Sequence, residues 1–352
     1  MSQRITLFVG LDVSDRYTQV CVLDDAGVVL EESRVATAKE PVLARFSHRP
    51  RTRIALEAGT HSPWMSRLLE GCGHEVYVAD SRRIPLISAS VSKDDRRDAE
   101  SLARLVRSDP LLLSPIRHRG EQEQADRMTL QSRDALVQSR TALVNRVRGL
   151  VKPFGAQLPR SSTRAFTRKV RDHIPAGAKE AVAPLLRVID ALSEEIKLAD
   201  RQVEQIAAER YPVTEQLKQV NGVGPLTSLA FVLTIANPHL FRKSRSVGSY
   251  LGLRPRRSAS GASDPQLRIT KAGDPWMRKT LVQSAQYMLG PHGQDSALRR
   301  FGLALAARGG KAAKKRAVIA VARKLAVLLH RLWVTGETYE PLRGARELVV
   351  AQ

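Results

Sequence analysis

Residues 5–12 read ITLFVGLD, an apolar, β-branched run that ends in an acid, and this segment decides the fold. A run of this kind predicts a buried strand. Two further strand-like runs follow and join through an Asp-Ala-Gly turn at Asp25–Gly27. They are YTQVCVLDD at 17–25 and VVLEESRVAT at 28–37. The pattern predicts three consecutive antiparallel strands.

The segments that follow alternate between helix and strand patterns. We predict helices around 40–46 and 63–69, a strand RIALE that ends at Glu57, a strand EVYVA at 75–79 and a helix at 95–108. Three antiparallel strands followed by alternating helix and strand are the order of a ribonuclease H-like α/β domain.

Two long helices are predicted next. The first, around 122–151, has an apolar stripe of Leu136, Leu143, Val147 and Leu150. The second, around 178–210, has apolar residues spaced alternately by three and four, as in a coiled coil, and could pair with the first. Its seam residues are Val182, Leu185, Ile189, Leu192, Ile196, Ala199, Val203 and Ile206.

The remainder of the chain predicts a mostly helical unit. It has helical stretches around 274–289 and 311–334 and a helix-hairpin-helix-like element near 221–225. We therefore expect three domains: an α/β domain at 1–116, coiled-coil helices with their linker at 117–212, and a helical domain at 213–352.

Charge is distributed unevenly along the 352 residues. The net charge is +22, but residues 1–116 hold 16 basic and 16 acidic side chains, so the whole excess lies after residue 116. This asymmetry predicts chemistry in the front part and binding of a polyanion, such as nucleic acid, in the back part. With 43% hydrophobic residues, the composition excludes a disordered chain.

Cysteine and hydropathy patterns exclude other classes of protein. Cys21 and Cys72 are the only cysteines, so neither a Cys-rich zinc site nor a disulfide framework is available. The eight histidines lack metal-ligand spacing, which predicts surface or structurally satisfied roles. No segment approaches the ~18 apolar residues of a membrane span. We expect a cytoplasmic protein, associated with the nucleoid when bound to DNA, and no membrane partner.

Acidic residues at element ends predict a metal-dependent active site. Asp12 ends the first strand, Glu57 ends the fourth, and Asp95 and Asp98 lie in the first turn of a helix. Clustered carboxylates tolerate closeness when divalent cations neutralise them. Spacing alone leaves two alternatives open, because Asp94 also shares a face with Asp98 and Asp15 competes with Asp12.

Two later segments carry candidate phosphate contacts. In NGVGP at 221–225, Gly222 and Gly224 precede a helix whose first N–H groups could hold a phosphate. Between 250 and 281, Ser258 and Ser260 lie among cations that could neutralise a phosphodiester under attack. These cations are Arg254, Arg256, Arg257, Arg268, Lys271, Arg278 and Lys279.

Six ordered motifs make the chain resemble the DEDD transposases of the IS110 insertion-sequence family, which includes Piv-like DNA invertases and bridge-RNA-guided recombinases. The resemblance covers nearly the whole chain. The motifs are VGLDVSD at 9–15, ALEAGTH at 55–61, SKDDRRDAE at 92–100, VNGVGPLTS at 220–228, YLGLRPRRSASG at 250–261 and ITKAGDPWMRKTL at 269–281.

The resemblance implies roles for individual residues. It assigns the catalytic, metal-binding quartet to Asp12, Glu57, Asp95 and Asp98, and Asp94 falls on a variable position. It further implies that Ser260, directly before a glycine, is the nucleophile. The phosphate-contacting residues we predict are Gly222, Gly224, Arg254, Arg256, Arg257, Lys271, Arg278 and Lys279.

The resemblance also implies the architecture and the reaction. We expect a RuvC-like domain, a coiled coil and a helical transposase domain, assembled as a tetramer that is a dimer of dimers. The protein would excise and insert its element site-specifically, with Mg²⁺ and a phosphoserine intermediate. Its partners would be donor and target double-stranded DNA and a structured guide RNA.

Two rival interpretations use parts of the same pattern. A metal-dependent RuvC-like Holliday-junction nuclease would use the same carboxylates without a covalent serine intermediate. An actin-like ATPase also begins with strand, Gly, Asp and hairpin, but needs a second copy of that motif, which the sequence lacks.

Overall fold

The computed structural model describes residues 5–80, 94–258, 260 and 267–343. The chain divides into two compact units, Met1–Gly120 and Glu121–Gln352. The first contains a mixed five-stranded sheet, and the second is mostly helical in its described part. The finer division into 1–116, 117–212 and 213–352 stays a prediction.

The first unit is built on five strands in the order β3-β2-β1-β4-β5. The strands β1, β2 and β3 pair antiparallel, as predicted, whereas β4 lies parallel to both β1 and β5. Their bounds are β1 Phe8–Val13, β2 Tyr17–Leu23, β3 Val29–Ala36, β4 Arg53–Glu57 and β5 Glu75–Ala79.

Helices cover both faces of this sheet. They are α1 Lys39–Phe46, α2 Ser62–Gly71 and α3 Asp95–Ser108, and each overlaps a predicted helix. Because successive strand residues point to opposite faces, β1 contributes to two apolar cores. Val9 and Leu11 pack in the core that contains Phe46 and Met65, while Phe8 packs in the core of α3.

The described part of the second unit consists of nine helices joined by turns and short 3₁₀ segments. Their bounds are α4 Glu121–Leu150, α5 Phe166–Val170, α6 Lys179–Arg210, α7 Val213–Leu217, α8 Pro225–Ile235, α9 Arg245–Tyr250, α10 Pro275–Leu289, α11 Ala297–Ala306 and α12 Gly310–Thr335.

The two long helices α4 and α6 pack along each other within the chain, which confirms that pairing. Arg133 donates to Asp200 across the pair at 2.7 Å. The stripe predicted for α4 is wrong at its end, because Leu150 is exposed and Val144 is buried. The buried face there runs through Val147 to Val151, four residues apart, where the segment after the helix packs.

A second apolar core lies around α8. Every residue from Thr227 to Ile235 is buried, and the helix packs against α6 and α10. The last helix, α12, adds Val321, Leu325 and Leu329 to the same core. Within the described ranges, no helix is both long and apolar enough to cross a membrane.

Candidate active site

Strand register brings two of the predicted acids to one edge of the sheet. Gly10 pairs with Ala55 and Leu11 with Leu56 across the parallel β1–β4 ladder. Continuing that register by one residue places Asp12 level with Glu57. Both side chains are half-buried at the carboxyl ends of their strands.

Gly10 allows α3 to approach this edge. A Cβ atom at Gly10 would lie 1.9 Å from the carbonyl oxygen of Ala99 and 2.5 Å from the backbone nitrogen of Ala103, so a larger residue would displace the helix. Alternation along β1 puts Asp12 on the same face as Gly10. The first turn of α3, with Asp95 and Asp98, therefore lies beside Asp12.

The electrostatics of Asp12 reflect the three other predicted acids. Burial, followed by the negative charges of Asp95, Asp98 and Glu57 in that order of size, raises the pKa of Asp12 to about 6. A carboxyl group surrounded by like charges resists ionisation. The site is thus a group of neighbouring acids that favours a cation.

The cluster is looser than a finished metal site. Among the described residues, no three His, Cys, Asp or Glu side chains are arranged so that they could hold a metal ion. Like-charged carboxylates separate when no cation lies between them, so the donor set fits a divalent ion in its chemistry and an ion would have to draw it together. A role as metal ligands therefore stays a prediction for Asp12, Glu57, Asp95 and Asp98.

The two competing acids lie in different surroundings. Asp94 is the N-cap of α3 and accepts a hydrogen bond from the backbone nitrogen of Arg96 at 3.2 Å. Asp15 is exposed and pairs with His61 at 3.1 Å. Neither is among the charges that raise the pKa of Asp12.

A histidine that sequence reasoning missed connects the loops after Asp12 and Glu57. The Trp64 indole donates to Nδ1 of His61 at 3.1 Å, so Nε2 carries the proton of the neutral ring and donates to Asp15. This bridge joins the β1–β2 turn to the start of α2. The position of His61, four residues after Glu57, was the signal in the sequence that could have indicated this role.

A second missed pair fixes the turn that leads from Glu57 into α2. The buried Ser62 hydroxyl donates to the carbonyl oxygen of Gly59 at 2.8 Å, and Nε2 of His118 lies 2.8 Å from the same hydroxyl. Burial and the nearby Arg67 and Arg119 lower the pKa of His118. A neutral His118 that donates to Ser62 satisfies this arrangement.

The predicted nucleophile belongs to the second unit. Ser260 and Ser258 are both exposed. They follow a short antiparallel ladder, in which the nitrogen of Arg256 donates to the oxygen of Arg268 at 2.9 Å and the nitrogen of Thr270 to the oxygen of Arg254 at 2.9 Å. We call the two ladder segments, 254–256 and 268–270, the serine stem.

Two glycines lock the base of the serine stem. Gly252 and Gly273 both have φ of +68°, and a Cβ at either would lie 2.2 Å from a backbone oxygen of the other turn. Only glycine adopts this conformation at so close an approach. Arg278 closes the same base by donating to the carbonyl oxygens of Leu251 and Gly273, each at 3.2 Å, and of Ala272.

The predicted phosphate-contacting cations fall into two groups. Arg254, Arg256, Arg257 and Lys271 are exposed. Arg278 is engaged by backbone carbonyls, and Lys279 pairs with Asp134 of α4 at 2.8 Å. Nucleic-acid contacts stay predictions for both groups.

Gly222 and Gly224 also differ from each other. Gly222 has φ of +84°, and a Cβ there would lie 3.1 Å from the Tyr287 ring, so it packs against α10. Gly224 has open space around its Cα and forms the N-cap of α8. Of the two, Gly224 is the one with room for a ligand.

Comparisons with known proteins agree across both units. Residues 9–154 match a DEDD transposase model of IS110 type, and residues 214–301 match the model described as transposase IS116/IS110/IS902 family. The transposase for insertion sequence element IS1111A of Coxiella burnetii is 26% identical over 339 residues, covering 94% of this chain and 90% of that protein. The transposase for insertion sequence element IS1328 of Yersinia enterocolitica is 25% identical over 238 residues, covering 66% and 70%.

Proposed function

The chain belongs to the IS110 family of transposases, enzymes that cleave and rejoin DNA, and from this premise we propose that it excises and inserts its element through the acidic cluster and Ser260. The observation that supports the proposal is the raised pKa of Asp12, because Asp95, Asp98 and Glu57 lie near enough to contribute to it. We further propose that the first unit is a RuvC-like, ribonuclease H-like domain, which its strand order supports.

Membership of a DEDD transposase family implies dependence on a divalent metal ion, and we propose Mg²⁺ held by the four carboxylates. Hard carboxylate oxygens are the ligands that Mg²⁺ prefers. When bound, the ion would supply charge stabilisation at the phosphate and lower the pKa of an attacking hydroxyl. The protein's own part is to hold the four carboxylates on two strand ends and one helix turn.

The serine step preserves the energy of the phosphodiester. Ser260 Oγ forms a bond to phosphorus, the bond between phosphorus and the adjoining sugar oxygen breaks, and the serine proton passes to a carboxylate of the cluster in another copy of the chain while the leaving oxygen gains a proton. Arg254, Arg256 and Arg257 would neutralise charge on the phosphate. Reversal with a different sugar hydroxyl rejoins the strand without a nucleotide cofactor.

The partners we propose are donor and target double-stranded DNA, a structured guide RNA and other copies of the chain in a tetramer. The net charge of +22 supports a nucleic-acid partner. The α4–α6 pair would form the coiled coil of the assembly. To test guidance, the pairing segment of the RNA is changed; the insertion site should follow the change, and an unmoved site would contradict guidance.

A denaturing gel tests the serine mechanism directly. Wild-type protein with a plasmid that carries the element and its flanks should give a covalent protein–DNA adduct in Mg²⁺. Ser260→Ala should abolish the adduct and recombination while DNA affinity is kept, and Ser258→Ala is the matched control that should react. Cleavage by Ser260→Ala without any adduct in wild type would instead identify a metal-dependent RuvC-like nuclease.

A further inference from the structure

A groove in the second unit combines an apolar floor with cationic walls. It has a volume of about 760 Å³ and lies between α9, α11, α12 and the segment 339–343. Leu298, Phe301, Val327 and Leu328 supply apolar lining. The predicted phosphate-contacting residues are absent from its lining, so it is a surface separate from the serine stem.

Cations outnumber acids along the groove. Its lining includes Arg245, Arg323 and Lys324, which are all exposed, and one acid, Glu340. Two further lining arginines, Arg331 and Arg343, share the single carboxylate of Glu337, at 2.6 and 2.7 Å. Five cations against Glu340 and Glu337 leave an excess of three positive charges to attract an anionic ligand.

Packing holds two of these cations in place. A Cβ at Gly248 would lie 2.9 Å from Cγ of Arg323, so the arginine stem lies against α9 one turn after Arg245. The ammonium of Lys324 stands 4.0 Å from the centre of the Phe301 ring. Arg245 and Arg323 have no ion pair or hydrogen bond within the described ranges. The Arg323 stem and the Lys324 ammonium are thus held by packing, and Arg245 is exposed one helical turn before Gly248.

We propose that this groove binds an unpaired strand of nucleic acid, with phosphates at Arg245 and Arg323 and sugar or base against the apolar floor. The apolar floor distinguishes this ligand from a duplex, whose bases are stacked inside and would leave Phe301 and Leu298 uncovered. The site rests on the proposed function only for the presence of nucleic acid, because strand cleavage and exchange produce unpaired segments. It takes no part in the serine step.

Fluorescence anisotropy on the full-length protein tests the proposal. The probes are a labelled 20-nucleotide single strand in deoxyribose and in ribose form and a duplex of the same length. The test variant is Arg245→Gln with Arg323→Gln. The matched control, Lys169→Gln with Arg187→Gln, removes two exposed cations elsewhere in the same unit. Gly248→Ala keeps all charges and displaces the Arg323 stem.

The groove variant should weaken single-strand binding about tenfold and lower the salt slope by about 1.4, two phosphates at ~0.7 each, with duplex binding nearly unchanged. Gly248→Ala should weaken the same strand about threefold. Equal loss with the control variant, or equal loss for strand and duplex, would overturn the proposal. So would unchanged strand affinity with a smaller mass in light scattering, which would make the groove an interface between copies.

Equal binding of the two single strands would assign the site to phosphodiester chemistry alone. A preference for one sugar would identify the natural strand as RNA or DNA. Because these measurements need no catalysis, they can succeed with Ser260→Ala protein. Their outcome is therefore independent of whether the serine mechanism is right.

Discussion

Charged residues have different kinds of partner at the acidic cluster and at the base of the serine stem. At the cluster, the pKa of Asp12 rises because the carboxyl group is buried and because its neighbours Asp95, Asp98 and Glu57 are also acids. At the stem base, Arg278 binds backbone carbonyls and Lys279 binds Asp134. Neighbouring like charges mark a place that favours a ligand of opposite charge, whereas side chains held by backbone carbonyls or by an ion pair brace the fold, even when both places carry a predicted functional residue.

The largest effect we expect is at the cluster. Asp12→Asn should reduce DNA cleavage by at least about a thousandfold, because the site loses both a charge and a hard oxygen ligand. The assay is single-turnover cleavage of the element ends in Mg²⁺. Asp94→Asn is the matched control, since Asp94 caps α3 and pairs with Arg97, and it should stay within about threefold of wild type. Cleavage that survives Asp12→Asn in EDTA would refute the metal assignment.

The second prediction separates a brace from a nucleic-acid contact. Arg278→Gln should lower adduct formation about tenfold and lower the melting temperature, because three carbonyl oxygens lose their donor. Its DNA affinity and salt slope should stay near wild type. Arg254→Gln, on the exposed stem, should do the reverse and lower the salt slope by about 1. If Arg278→Gln changes the slope as Arg254→Gln does, the brace interpretation fails.

The sequence predicted the sheet and the cluster better than the stem. Asp12 and Glu57 each end an apolar run that predicts a strand. Parallel pairing of these two strands then brings the two acids level. The base of the stem depends on contacts between residues twenty or more positions apart, such as Gly252 with Ala272 and Arg278 with Leu251. The sequence identifies Arg278 as a cation but does not show that its side chain already donates hydrogen bonds to backbone carbonyls.

Histidine roles show the same limit. The sequence placed His61 in the motif ALEAGTH without a partner, because Asp15 and Trp64 meet it only after β1, β4 and α2 assemble. The predicted apolar stripe of α4 is wrong at Leu150. Packing of the segment after the helix decides which side is buried there, and helical periodicity alone does not show it.

The third prediction concerns His61. His61→Asn should raise the Mg²⁺ concentration for half-maximal cleavage about fivefold, since losing one hydrogen-bonded bridge costs about 1 kcal/mol in holding the two carboxylate loops together. A Mg²⁺ titration of the cleavage rate measures it. His48→Asn, at an exposed histidine of the same unit, is the control and should leave the titration unchanged. An unshifted midpoint for His61→Asn would limit the bridge to a structural role.

The smallest expected effect is on stability, and its sign follows from the pKa of Asp12. Folding raises that pKa from 3.8 to about 6, so the folded state binds the proton more tightly than the unfolded chain. Stability from this group is complete below pH 3.8 and is lost as the pH rises through 6. Above that, ionised Asp12 destabilises the fold, by about 1.5 kcal/mol after allowance for solvent screening.

Asp12→Asn should therefore be more stable than wild type at pH 8 in EDTA by about 1.5 kcal/mol, and the difference should vanish near pH 4. Urea unfolding at the two pH values measures it. Asp94→Asn should instead be slightly less stable at pH 8, because it weakens the cap of α3. If Asp12→Asn loses stability at pH 8, the carboxylate is neutralised in the fold. The contrast between the acidic cluster and the braced stem base would then fail.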